Sequence, residues 1–427
     1  MKLALFTIVA NIVFLGACSA GAPATRADST ASLSPAKPSS YGDVQQRLAA
    51  QFSPLGQGPL RLDKAYRVNL PSSPFSNSAP AISPDGQRYF AYDTIRGLWF
   101  DSVEAQGEPK HLDGRLTIAG LGYAKTIPFA WASNSRDIFG AIQDTVVPNG
   151  FALSPLSTLL ISVDGQSRKL PQLRHPAGNL DGILWVGGDG LAVAEFGTKG
   201  SYYRPEHDDK SPTIAMVDGR RGHILQAVPL PVSSSDRPAT LVGEIDARVD
   251  ARGRMYALFV LNGHRWFEWR QGEALHPLSL DTGEQPAKWF SVTPDLSKVL
   301  VMQGLSATGM ICEQNPNCSP RTPVSGSIAE LRDLTTGEIV WAIKGRATNF
   351  SSTLKPAISK DGRYALISMP AGEQGAETVA LISMRDGKII QQIGRQPTSQ
   401  ASIGFSEDGK GAWLSGLSFL ITYHFNK

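Results

Sequence analysis

Most of the patterns by which a sequence announces its chemistry are missing from this chain. It has no G-x-S-x-G nucleophile elbow, no H-E-x-x-H, no P-loop and no EF-hand loop. Its seven histidines are scattered, and it has only three cysteines. Charge of one sign is also lacking: the formal net charge is +3 over 427 residues, which makes no electrostatic case for a nucleic-acid partner. Beyond the N-terminus no apolar run is long enough to span a bilayer, and few segments support long helices. Metal, nucleotide and nucleic-acid chemistry therefore have no foothold, and no catalytic residues, metal ligands or cofactor-binding residues are assigned.

What is present begins at the N-terminus. Met1-Lys2 is followed by "LALFTIVANIVFL", the length of a signal-peptide h-region, and the run ends in Leu15-Gly16-Ala17-Cys18. The alternative is an ordinary secretory signal with a chance cysteine. The order of basic residue, apolar run, small residues and cysteine favours more, because "LGAC" resembles the bacterial lipobox. That resemblance implies diacylation of the Cys18 thiol (palmitate among the acyl groups), cleavage before Cys18 and acylation of the new amino group. Several acyl chains on one residue anchor a protein to a lipid bilayer without a transmembrane helix. Ser19 follows where an aspartate would signal inner-membrane retention, so the resemblance implies an outer-membrane lipoprotein facing the periplasm, or one on the cell surface.

The chain divides by composition. Residues 1–17 read as the signal peptide. Residues 18–40 read as the lipidated cysteine and a disordered tether of Ala, Ser, Pro, Thr and Gly. Such a tether has an end-to-end distance of roughly 25 Å. Residues 41–57 read as a short amphipathic helix and connector: Ser40 and Asp43 resemble a capping box, while Tyr41, Val44, Leu48 and Phe52 share one helical face. The helix either covers an edge of the domain, the commoner fate of an apolar stripe, or docks a partner.

The remainder, 58–427, is β-rich, and one turn recurs in it. "SPDG" at 83 places Ser at the first position of a type I turn, Pro where φ is preset, and Gly at its close. S-x-D-G returns at 359 and 406, with weaker relatives "GGDG" at 187, "TPDL" at 293, "SNSR" at 133 and "DARG" at 250. The residue before each turn is apolar, and so is the residue six positions after its start. A second set alternates with the first: "VDG" at 163 and 217, "TTG" at 335, "RDG" at 385, with "QGE" at 106 and 271 as candidate equivalents. Two hairpin turns per unit mean about four strands per unit, which is a propeller blade. The last unit is short of strands, and "KAYRVNL" at 64–70 precedes the first, so an N-terminal strand is expected to complete the final blade. The expected fold is all-β: a β-propeller of seven four-stranded blades, preceded by signal, tether and helix.

These words resemble the WD-repeat-like propeller repeats of TolB-type periplasmic proteins. "DLTTGEIVWAIKG" at 333–345 is similar to a repeat of the propeller lipoproteins in the outer-membrane barrel-assembly machine, although the run of Trp-containing quinone-enzyme repeats is absent. Blades host many functions, so the resemblance implies fold and compartment more than activity.

Other features are placed with their simplest meaning. In an oxidising compartment Cys312 and Cys318, in "CEQNPNC", are expected to form a disulfide closing a small loop, worth about 2 kcal/mol. That loop lies in the long segment 303–328, either a specialised surface loop or a stapled insertion. "RPEHDDK", with Glu206, His207, Asp208 and Asp209, is the nearest thing to a metal-ligand cluster, but consecutive acids in a polar stretch read as a solvated turn. In "HRWFEWR", after an Asn262-Gly263 hairpin turn, Trp266 and Glu268 should face one side and Phe267 and Trp269 the other, as core packing by default or else as an aromatic binding patch. Trp131 and Trp185, each two residues before a repeat turn, read as contacts between blades. The expected function is a membrane-anchored, non-catalytic binder of envelope proteins, whether a scaffold, an assembly factor or an immunity protein for a toxin. The alternative is an enzyme or a small-ligand or carbohydrate binder using the central channel.

Overall fold

The computed structural model describes residues 41–426 except 69–80, 94–96, 106–108, 114–128, 133, 144–155, 163–166, 170–172, 174–178, 188–189, 198–212, 232–241, 251, 262–264, 281–288, 307–322, 348, 351–353, 372–376, 396–400 and 417–418. Cys18, Cys312, Cys318, Asn262-Gly263 and the 206–209 cluster lie outside the described residues.

The recurrent turn is a small hydrogen-bonded device. At the first copy the Gly86 N–H donates to the Ser83 carbonyl (2.8 Å), and the Ser83 N–H to the Arg88 carbonyl (2.9 Å). The Ser83 hydroxyl donates to Asp85 (2.6 Å) and accepts the Arg88 N–H (2.9 Å). The same hydroxyl–carboxylate pair forms at Ser359/Asp361, Ser406/Asp408 and Thr293/Asp295. Side chains thus satisfy backbone groups that the tight turn strands, and for that reason Ser/Thr and Asp recur two residues apart. The backbone N–H of Lys410 and the hydroxyl of Ser406 hold the Asp408 carboxyl below its ordinary value.

The copy read at 133 begins one residue earlier. Ser135 donates its N–H to the Ala132 carbonyl (3.0 Å), and Ala132 donates to Asp137 (2.8 Å), so its apolar flanks are Trp131 and Ile138. The fourth turn position has positive φ throughout: Gly86, Gly190, Gly253, Gly362 and Gly409 at 68–79°, but also Ser135 at 54° and Leu296 at 59°. Gly409 isolates the cost of that angle, because a Cβ placed there meets nothing within 4 Å. Gly409→Ala is expected to destabilise by about 1 kcal/mol, the penalty of a left-handed L-residue. A gain in the denaturation midpoint, the usual effect of Gly→Ala at ordinary φ, would contradict this turn geometry.

Between turns the strands pair antiparallel in chain order. Six blades are four-stranded, not the seven expected. Five of them lie within 81–113, 129–169, 179–229, 242–278 and 289–347, and the sixth combines 402–425 with an early strand. That strand is Leu60–Arg67, which pairs along Phe419–Phe425 (Ala65 opposite Ile421), so the two ends of the domain share one sheet, as the short last repeat requires. The other large sheet, 357–395, carries a fifth strand: Pro54 and Leu55 pair with Ile393 and Gln392 at its outer edge. A two-residue ladder, Leu305–Ser306 with Asn349–Phe350, completes the described strands.

Strand alternation assigns each side chain to one neighbouring sheet, and together the sheets form the propeller. Trp266 packs with Leu258, Val260 and Phe290 toward the 289–347 sheet, whereas Phe267 and Trp269 join Val193, Ile214 and Met216 of the 179–229 sheet. Trp131 touches Phe90, and its indole N–H donates to the Ala81 carbonyl of the preceding sheet (2.9 Å). Trp185 packs against the 242–278 sheet's cluster. A cluster of Tyr66, Val68 and Leu420 with Ile82, Tyr89 and Val103 joins the closing sheet to the first. Each such buried aliphatic or aromatic side chain contributes about 1.5–3 kcal/mol.

The helix forms at Tyr41–Phe52, as its stripe predicts. Its C-terminal end covers the closing sheet: Phe52 is buried and stacks on Phe419 at 4.7 Å, and the Tyr423 hydroxyl donates to the Phe52 carbonyl (3.0 Å). Gln391 then grips Leu60 through both backbone groups (2.9 and 3.1 Å), fixing the connector against the outer strand of the 357–395 sheet.

Candidate functional site on the inner strands

The first strand of each sheet is its inner strand, and several of these touch one another: 242–249 touches 289–292, which touches 357–358. Such positions should carry apolar side chains on both faces, because neighbouring sheets cover each. "EIDARV", within 242–249, breaks that rule with Asp246 and Arg248.

Asp246 is buried and fully engaged. One carboxylate oxygen accepts the Val292 N–H of the next sheet (2.8 Å). The other accepts Lys355 Nζ (2.8 Å), which arrives from just before the inner strand of the sheet beyond and also donates to the Ile245 carbonyl (3.1 Å). One carboxylate thus ties together three successive sheets. Arg248 Nε stands 3.6 Å from the same group, and the Ser291 hydroxyl adds a bond to the Pro356 carbonyl (2.7 Å). Burial alone would raise the Asp246 carboxyl, but the charges of Lys355 and Arg248 and the bonds from Lys355 and Val292 outweigh it, so the group is held below its ordinary value.

The polar seam continues outward between the same two sheets. Arg248 lies opposite Tyr256 in the ladder. The Tyr256 hydroxyl donates to Glu268 (3.4 Å), and the Arg270 guanidinium sits 5.1 Å from its ring centroid. Burial, then the Glu268 charge, push that phenol above its ordinary value, so it remains protonated. On the facing sheet Arg332 and Glu330 form a buried pair, with N–O distances of 2.6 and 2.9 Å. They share a face because they stand opposite Val299 and Val301.

Chemically this is a clamp. A carboxylate saturated by two cations and a backbone donor stays ionised near neutrality, so it is poorly placed to move a proton. Among the described residues no three His, Cys, Asp or Glu converge to hold a metal ion, and no helix is long and apolar enough to cross a membrane. The sequence-selected residues Cys18, Cys312 and Cys318 fall outside the described residues. Asp246, Arg248 and Lys355 were not legible as a group, although an acid and a base on an otherwise apolar inner strand are a usable signal.

Fold and site together define a class, a β-propeller whose inner wall is locked by a charged seam. No protein-family model and no curated protein matches the chain.

Proposed function

We propose that the protein is a lipid-anchored, non-catalytic propeller of the bacterial envelope that binds another envelope protein as scaffold, assembly factor or toxin-immunity protein. The observation that carries the anchored half is the N-terminal order of basic residue, apolar run and "LGAC", ahead of a low-complexity tether. Cys18 is the acylated residue, and the bilayer it enters is the outer membrane on its periplasmic side or the cell surface.

The binding half is supported by topology. Antiparallel order puts the first-to-second and third-to-fourth turns of every sheet at one end, where S-x-D-G words repeat with little change. The second-to-third and sheet-to-sheet connections leave from the other end. They include 114–128, 198–212 and 303–323, which differ in length and composition and include Cys312 and Cys318. Recognition favours the variable end of a rigid scaffold. A channel-binding enzyme or carbohydrate binder would instead draw on the two partly exposed cations of the inner wall, Arg248 and Lys355.

Crosslinking in intact membranes followed by pull-down is expected to recover one protein in stoichiometric amount. Recovery of none, together with a ligand-dependent rise in melting temperature, would favour the channel reading.

A further inference from the structure

Six large apolar side chains are exposed among the described residues, and four of them gather in one sector of the rim. Ile339 and Val340, 48% and 46% exposed, open the outer strand Ile339–Ala347 of the 289–347 sheet. Ile389, 37% exposed, opens the outer strand Ile389–Arg395 of the next sheet at the equivalent place after its turn. Leu55, 58% exposed, lies on the added strand paired to that same edge. The first outer strand meets the turn that leads into the second: the Trp341 indole N–H donates to the Met384 carbonyl (2.9 Å), and Gly387 lies so close to the Trp341 ring that a Cβ there would stand 2.7 Å from it. Isolated exposed aliphatics are ordinary; four on neighbouring outer strands are a patch.

Two further observations indicate what covers it. The described chain starts in the helix Tyr41–Phe52, which packs on the same outer strand, Ile389–Arg395, and on the closing sheet. The patch is also flanked by base in excess of acid, with Lys344, Arg346, Arg385 and Lys388 against Glu338 and Asp386.

We propose that this rim patch, formed by Ile339, Val340, Ile389 and Leu55, rests on an anionic lipid bilayer. The inference deepens the lipid-anchor reading and rests on it. Aliphatic side chains enter the headgroup boundary while the flanking lysines and arginines meet lipid phosphates, the combination that peripheral membrane surfaces use. Sitting on its rim, the propeller keeps both ends of its axis in water, and the variable end stays open to a partner.

The test is hydrogen exchange read by mass spectrometry on the full chain, bound to phosphatidylethanolamine/phosphatidylglycerol vesicles or held in detergent. Peptides covering 337–347 and 385–395 are expected to gain protection on vesicles. The 223–229 strand, which carries the equally exposed Leu225 on another sheet, should not. The pair Ile339→Ser and Ile389→Ser is expected to weaken vesicle binding of a non-acylated chain, with Ser at 18 and its signal removed, by roughly tenfold. Unchanged exchange at both peptides overturns the proposal. So does protection that depends on protein density at fixed lipid, since that reports a second copy on the edge. The acyl mass on Cys18, read in the same experiment, decides the anchor reading separately.

Discussion

Asp246→Ala is expected to lower the stability of the propeller by about 3–5 kcal/mol, the range for removing one partner of a buried ion pair. Alanine deletes the acceptor of the Val292 N–H and leaves Lys355 and Arg248 facing each other without an anion. Three sheets lose their common tie, the buried Val292 N–H loses its acceptor, and Lys355 Nζ keeps only the Ile245 carbonyl. Asp246→Asn keeps the shape and isolates the charge. Because burial is costly for an ion even when it is paired, Asp246→Leu combined with Lys355→Met should cost less than Asp246→Ala alone. Urea denaturation of the three variants checks the order. An unchanged midpoint in Asp246→Ala would mean that the clamp is decorative.

The same group predicts a pH dependence. Its folded value is lowered, so its contribution is fully present above the unfolded carboxylate value of about 4 and is lost as pH falls through the folded one. The turn carboxylates Asp250, Asp295, Asp333, Asp361, Asp386 and Asp408 are lowered as well and act in the same direction. Wild type should therefore lose stability steeply below about pH 4, and Asp246→Asn less steeply, the difference between the two curves belonging to Asp246.

How far these features could be read in advance follows from their range along the chain. The turn is local: six consecutive residues supply its donors and acceptors, so S-x-D-G reports it directly. Even its failure at 133 is instructive. Asn134 does there what aspartate does elsewhere, accepting the Arg136 N–H (2.9 Å), while Ser135 takes the glycine angle. Apolar residues at Trp131, Ala132, Ile138 and Phe139 made both registers look alike. The closing strand could be anticipated because a short last repeat needs a partner. The fifth strand could not, since Pro54–Leu55 is too short to show alternation. The clamp was hidden for a different reason: Asp246 meets Val292 and Lys355 across 46 and 109 residues, and no local pattern encodes that meeting.

Cys18→Ser is expected to move essentially all of the protein from the membrane fraction to the soluble one. Each buried methylene contributes about 0.8 kcal/mol, so several acyl chains hold a protein far more firmly than any exposed patch on its surface. Serine at 18 removes the thiol that the first acyl transfer requires and the residue before which the signal is cut, so the unprocessed apolar run must be followed too. A variant with the signal replaced by an ordinary cleavable one separates these effects: it should be exported, cut and soluble. Palmitate labelling of wild type and its loss in Cys18→Ser, with carbonate washing to strip partners, complete the test. If the washed, unlabelled variant with the cleavable signal still floats with membranes, the anchor reading is refuted. If only weak, salt-sensitive association survives, it belongs to the rim, because lysine and arginine contacts to lipid phosphates are screened within a Debye length whereas acyl chains are not.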